Sequence, residues 1–180
     1  EIYSKYDFYD LKYSKIKKKF LKKENKRISN APLGDFCVDA VNATTMLISV
    51  DALKKIDGWD ENYYVYLEDI DICLRLKLNQ YSIIKIANAK VNHLGWSSHF
   101  NEIRETMNVS RIWHFTWSSL YFESKFCKKS LVLKKLLKIL SFSIIKLILN
   151  LLILRLSKVK QNLIKLSACF AFMLKRGSYF

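Results

Sequence analysis

Between Leu131 and Leu154, lysines and aliphatic residues recur with a helical period, and this stretch limits what the chain can fold into more than any other. On a helical wheel Lys134, Lys135, Lys138 and Lys146, with Ser141, fall to one side. Leu136, Leu137, Leu140, Ile144, Leu147, Ile148 and Leu151 fall to the other. The longest uncharged runs of the region are Ile139–Ile145, Leu147–Leu154 and Leu166–Leu174. Each is well short of the roughly 18 residues that a spanning helix needs. The pattern favours a basic amphipathic helix lying in a membrane interface, with lysines facing lipid phosphates. The alternative is a helix packed on its own globular domain. From about Asn108 onward the whole chain reads as helical.

The rest divides into two further regions. Residues 1–30 are polar and rich in Lys and Tyr, a helix or irregular lead-in without a clear core face. Its basic run, Lys15 to Arg27, is either a solvated helix face or an anion-binding stretch. Residues 31–107 change character. Val38 to Val50 is apolar and β-branched, a strand running into a short helix that Ser49 can cap and Asp51 can favour through the helix dipole. Gly58 stands where a left-handed C′ residue would end that helix. A second helix begins near Asp69, with Ile70, Cys73, Leu74 and Leu78 on one face. Tyr81 to Ala87 and Lys90 to His93 read as short strands, which gives α/β or α+β patterning rather than a repeat array.

Composition excludes some classes. With 51% apolar residues and one proline, the 180-residue chain is not broadly disordered. Cys37, Cys73, Cys127 and Cys169 form no CxxC pair, so neither a zinc pattern nor a disulfide framework is expected; reduced, mostly buried thiols point to the cytoplasm. The net charge of +15 makes nucleic acid and anionic lipid both conceivable partners. The aromatics sit mainly among acids rather than lysines, which argues against a base-stacking groove, and nucleic acid is not expected as a partner. No secretory signal opens the chain, and Glu1 stands where an initiating Met would be. The chain therefore reads as a fragment of a longer protein or the product of a broken frame.

Against this basic background, six carboxylates lie between Asp57 and Asp71. An aromatic-rich loop leads into Glu68-Asp69-Ile70-Asp71, at the start of the second helix. The helix dipole there would favour ionised carboxylates. Asp71 and Arg75 are spaced for an i, i+4 salt bridge, so Asp71 reads as structural. Asp69, without that pairing, is the better general base, and Glu68 could orient an acceptor or back up Asp69. The plainer reading is that all three acids only cap the helix.

Gly58-Trp59-Asp60-Glu61-Asn62-Tyr63-Tyr64, then Tyr66-Leu67-Glu68-Asp69-Ile70-Asp71-Ile72-Cys73-Leu74-Arg75, then Val91-Asn92-His93 resemble the C-terminal half of the catalytic domain of bacterial family 2 glycosyltransferases. The likeness is to the rhamnosyltransferase-like and galactofuranosyltransferase-like members. Order and spacing match from about Val38 to Ser98. A looser echo runs through Arg111-Ile112-Trp113-His114 and Trp117-Ser118 to Tyr121-Phe122 and Lys125. Trp113, His114 and Trp117, three and four apart on a helix, otherwise read as core.

The resemblance implies an α/β fold, an incomplete GT-A (nucleotide-diphospho-sugar transferase) domain over residues 31–107; the basic amphipathic α-helical region read from the periodicity follows over residues 108–180. It implies inverting transfer of a sugar from a nucleotide-sugar donor to a glycan or lipid-linked glycan acceptor, with Asp69 as base. Trp59, Asp60 and Glu68 would line the acceptor side; a packed Trp and a turn-forming Asp are the plainer roles for the first two. His93 is the candidate ligand for a divalent metal, Mg or Mn. The family's nucleotide-binding half and its Asp-x-Asp motif have no counterpart here, and the four glycines form no phosphate loop. The main metal ligands would lie in that half, and the 180 residues alone are expected to be inactive. The expected place of work is the cytoplasmic face of the bacterial inner membrane, peripherally bound. The competing expectation is an inactive remnant that binds only membrane or a partner.

Overall fold

The computed structural model of the protein describes residues 34–92 and 104–178. The expected lead-in over residues 1–30, together with His93 and His99, lies outside the described residues. Along the chain come β1 (Phe36–Cys37), a 3-10 turn (Ala43–Thr45), α1 (Val50–Lys55), α2 (Glu68–Leu78), β2 (Ile84–Lys85), α3 (Arg104–Phe126), α4 (Lys129–Leu152) and α5 (Leu156–Met173). The described residues are thus mostly helical, with a two-stranded sheet. They fall into two compact units: residues 34–60 with 68–92, and residues 61–67 with 104–178.

In the first unit β1 and β2 pair antiparallel, with Phe36 opposite Lys85 and Cys37 opposite Ile84. Val38 N–H extends the pairing to the Ile83 carbonyl at 2.9 Å. The strand expected over Val38–Val50 does not continue. The Asn42 side chain accepts from Thr44 N at 2.9 Å and turns the backbone into the 3-10 segment, a local bond that competes with a sheet ladder. The apolar residues of this stretch still pack inward: Val38, Val41, Met46 and Ile48 lie against Ala52 and Ile56 of α1 and Ile72, Cys73 and Leu76 of α2. The buried face of α2 is therefore Ile72, Cys73 and Leu76. Leu78, expected on that face, is exposed.

The ends of α1, α2, α4 and α5 share one device. After α1, Asp57 N–H bonds the Lys54 carbonyl and Gly58 N–H the Leu53 carbonyl, with both residues left-handed (φ 58° and 71°). This is a Schellman motif in which Asp57 takes the C′ place expected for Gly58, and Gly58 follows it. Gln80, Leu154 and Lys175 hold the same position after α2, α4 and α5, at φ 67°, 56° and 54°.

The second unit is built on α3, α4 and α5. Trp117 of α3 packs on Ala168 and Ala171 of α5, and Leu120 meets Leu136 of α4 and Cys169 of α5. The small residues of α5 give the large rings of α3 room to approach. Trp113 and Tyr121 flank the Trp117 cluster, and His114 is buried with its ring 4.8 Å from that of Tyr64. Residues 61–67 belong to this unit: Ser178 Oγ accepts from Tyr64 N at 2.8 Å and donates to the Asn62 carbonyl at 2.6 Å, and Ser118 Oγ donates to the Val65 carbonyl at 2.9 Å. Two of the four free thiols, Cys73 and Cys169, are buried; Cys127 is half-buried and Cys37 exposed.

The two sides of α4 differ from the wheel drawn on sequence alone. Val132, Leu136 and Ser143 are buried and Ile139 and Leu140 are half-buried, all turned toward the other helices. Leu137, Ile144, Ile148 and Leu151 are exposed. The apolar arc is therefore split between the bundle core and solvent. Lys135, expected on the lysine side facing lipid phosphates, is drawn inward to Glu123 of α3 at 3.0 Å.

Candidate functional site: a carboxylate pair at the start of α2

Tyr66 and Leu67 have φ of 71° and 70° just before α2. Consecutive left-handed positions are strained for bulky residues, and such strain gathers at functional segments. Glu68 and Asp69, next in sequence, lie in the first turn of α2, both half-buried. Asp69 Oδ1 accepts from Ile70 N at 2.8 Å, while Oδ2 receives only a long 3.4 Å contact from Ala43 N of the 3-10 turn. At that length the bond is weak, so Oδ2 keeps acceptor capacity. Glu68 Oε2 is buried and has no hydrogen-bond partner among the described residues. A buried acceptor of this kind calls for a water, ion or ligand hydroxyl.

The electrostatics reverse one expectation. The helix dipole and local N–H donors favour ionised carboxylates here, yet burial outweighs them. Burial raises the Asp69 pKa above its ordinary 3.8, with the N–H groups of Ile70 and Ala43 opposing. Burial likewise raises Glu68, its own backbone N–H opposes, and the adjacent Asp69 charge raises it further. Two neighbouring carboxyl groups with proton affinities shifted toward neutrality are suited to proton transfer.

Asp71 stands apart from this pair, as its spacing predicted. It is fully buried, and its Oδ2 accepts from Arg75 Nε at 2.7 Å. The rest of the Arg75 role was not legible: its Nη1 also donates to the carbonyls of Ile56 and Gly58, the latter at 2.7 Å. One guanidinium thus fastens the end of α1 to α2. It fixes the carbonyl immediately before Trp59 and Asp60, the two expected acceptor-side residues. Trp59 is 40% exposed, with ring surface open to solvent, and Asp60 is half-buried. Trp59, Asp60, Glu68 and Asp69 all belong to the first unit. The Ala43 turn was also missed; the signal for it was Asn42 followed by Thr44, a side-chain turn former.

Among the described residues no three His, Cys, Asp or Glu side chains are grouped to hold a metal ion. The metal-ligand candidate His93 lies outside the described residues. The carboxylate pair alone therefore does not make a metal site.

No protein-family model matches the chain. No solved structure matches it. Among curated proteins, the chain is similar to the rhamnosyltransferase WbbL of Escherichia coli (strain K12), 41% identical over 44 residues. Those residues are 24% of this chain and 17% of that protein, so the match spans about a sixth of the relative's length. This short similarity points to a glycosyltransferase relationship.

Proposed function

We propose that the chain carries the acceptor side of a bacterial family 2, GT-A-type glycosyltransferase. The reaction is transfer of a sugar from a nucleotide-sugar donor to a hydroxyl of a surface glycan or lipid-linked glycan, with inversion. The observation that carries this reading is the Glu68–Asp69 pair: a carboxylate with free acceptor capacity and raised proton affinity beside a buried, unpartnered carboxyl oxygen. The short likeness to a rhamnosyltransferase supports it.

In this mechanism the acceptor oxygen attacks the anomeric carbon from the face opposite the leaving group. The carbon–oxygen bond to the nucleotide diphosphate breaks, and the hydroxyl proton passes to Asp69 Oδ2. Glu68 Oε2 holds an acceptor hydroxyl, the Trp59 ring stacks on a sugar face, and Asp60 bonds hydroxyls on the same side. Arg75 is a positioning residue, acting through the Gly58 carbonyl. A divalent metal, if used as in related enzymes, would neutralise the diphosphate, with His93 as this chain's contribution. Donor binding calls for a nucleotide-binding half beyond the residues described, and in this reading the reaction takes place at the cytoplasmic face of the inner membrane.

The test is sugar transfer by the chain expressed with any coding sequence that continues in frame upstream of Glu1, assayed against a panel of nucleotide-diphosphate sugars. Asp69→Asn abolishes transfer while the far-UV circular dichroism is unchanged. Full activity in that variant sinks the assignment of the base. Absence of turnover with every donor identifies the chain as an inactive remnant instead.

A further inference from the structure

The turn between α4 and α5 is built from residues that turns seldom contain. Leu151, Leu152, Ile153, Leu154 and Leu156 are 56%, 75%, 61%, 78% and 69% exposed. Connecting segments are ordinarily polar, because nothing in water rewards an apolar tip. Leu154 in addition holds the left-handed C′ position, where glycine is the unstrained choice. The chain keeps a bulky apolar side chain where both backbone and solvent disfavour it. From this tip the exposed residues Leu137, Ile144 and Ile148 continue as a stripe along α4.

The charges around the tip are of one sign. From Cys127 to Phe180 the chain has 12 Lys and Arg and no Asp or Glu. Lys146 and Lys158 stand close enough to Lys165 to help burial push its pKa down, so three cations crowd together with no carboxylate on either helix. Lys146 lies six residues before Leu152, about 9 Å along the helix axis. Arg155 and Lys158 lie within the turn and the first turn of α5. A tip sunk roughly 5–10 Å into a bilayer would set these cations at the level of the lipid phosphates. None of the described helices is long and apolar enough to cross a membrane.

We infer that the α4–α5 hairpin is a membrane-docking wedge: the apolar side chains of Leu151, Leu152, Ile153, Leu154 and Leu156 enter the acyl boundary of an anionic bilayer, while Lys146, Arg155 and Lys158 reach up to its phosphates. Charge selects this occupant. A second copy of the hairpin would bring like charges together, whereas an anionic bilayer offers counter-charge at its surface and apolar volume beneath. The inference deepens the membrane part of the proposed function and is independent of the carboxylate pair.

The probe is co-sedimentation of the 180-residue chain with phosphatidylcholine vesicles containing about one-third phosphatidylglycerol, against pure phosphatidylcholine. The unaltered chain binds the anionic vesicles. Leu152→Glu with Leu154→Glu lowers its partition roughly tenfold or more, by removing apolar insertion and adding repulsion. Both side chains are exposed, so the fold is retained, as circular dichroism checks. Lys146→Glu with Lys158→Glu keeps the apolar tip but reduces the preference for phosphatidylglycerol, Arg155 and the remaining lysines supplying what is left. Failure of the unaltered chain to bind either vesicle overturns membrane docking altogether. Binding that the tip variant leaves unchanged overturns the wedge. So does a tip variant that only converts an oligomer to a monomer in light scattering, which would make the tip a contact between copies. Sugar transfer by the Asp69 enzyme is scored separately, so failure of the one reading is distinct from failure of the other.

Discussion

Arg75→Ala tests the joint on which the candidate site is mounted. Asp71 is wholly buried, and Arg75 Nε lies 2.7 Å from its Oδ2. At that separation the gross Coulomb attraction is about 6 kcal/mol at an effective dielectric of 20. Most of it only offsets the desolvation of the two ions, so the useful quantity is the effect of breaking the pair. Removing one partner of a buried ion pair costs about 3–5 kcal/mol, because the other charge stays buried and unpaired. Two carbonyls, of Ile56 and Gly58, also lose their donor, at about 1 kcal/mol each where water cannot replace it. A loss of that size is a large part of the roughly 5–15 kcal/mol that stabilises an ordinary domain. The assay is native-state hydrogen exchange at the α2 amides around Ile72, which reports opening of this unit apart from the helical one. Asp71→Leu with Arg75→Met recovers about 2 kcal/mol or more of the single-variant loss, because no buried charge remains. High salt changes the wild-type value little, since the pair is shielded from solvent ions. A loss below about 1 kcal/mol in Arg75→Ala, or strictly additive single changes at the two positions, would refute the clamp.

Burial raises the Asp69 and Glu68 pKa values, so the folded protein binds these protons more tightly than the unfolded chain. The stability they contribute is fully present below their ordinary pKa values, 3.8 for Asp69, and is lost as pH rises through the folded values. Asp69→Asn is therefore more stable than wild type at pH 7, an advantage that disappears on acidification below that range; a series of melting temperatures against pH reads it. At Gln80, with φ 67°, substitution by glycine relieves left-handed strain and raises stability by about 0.5–1 kcal/mol in urea unfolding. Gly58→Ala has the opposite sign, a loss of about 1 kcal/mol, since Gly58 is at φ 71°. Ile72→Ala, at a fully buried core position, costs about 2–5 kcal/mol in the same measurement.

Which features were legible in the sequence follows from how local their causes are. The Asp71–Arg75 bridge lies within one helical turn, and spacing alone announced it. The helical character of the last third was carried by a long period, and α3, α4 and α5 occupy it. What depends on neighbours distant in sequence was not visible. A wheel gives the apolar arc of α4 but not which half α3 and α5 cover, so Leu136 and Leu137 read alike although one is buried and the other exposed. The dipole rule for Asp69 is local and correct in sign, but burial of the carboxyl overrides it. Arg75 reaches back 19 and 17 residues to Ile56 and Gly58, and no spacing rule encodes that. Val38–Val50 has strand composition, but Asn42 bonds locally and breaks the ladder while the apolar side chains keep their places in the core.

The most direct measurement of the central claim is transfer of sugar from a nucleotide-sugar donor by the chain with its in-frame upstream sequence, run side by side for wild type, Asp69→Asn and Glu68→Gln. Wild type turns over, Asp69→Asn does not, and Glu68→Gln uses acceptor more weakly. Turnover in Asp69→Asn equal to wild type would contradict the claim.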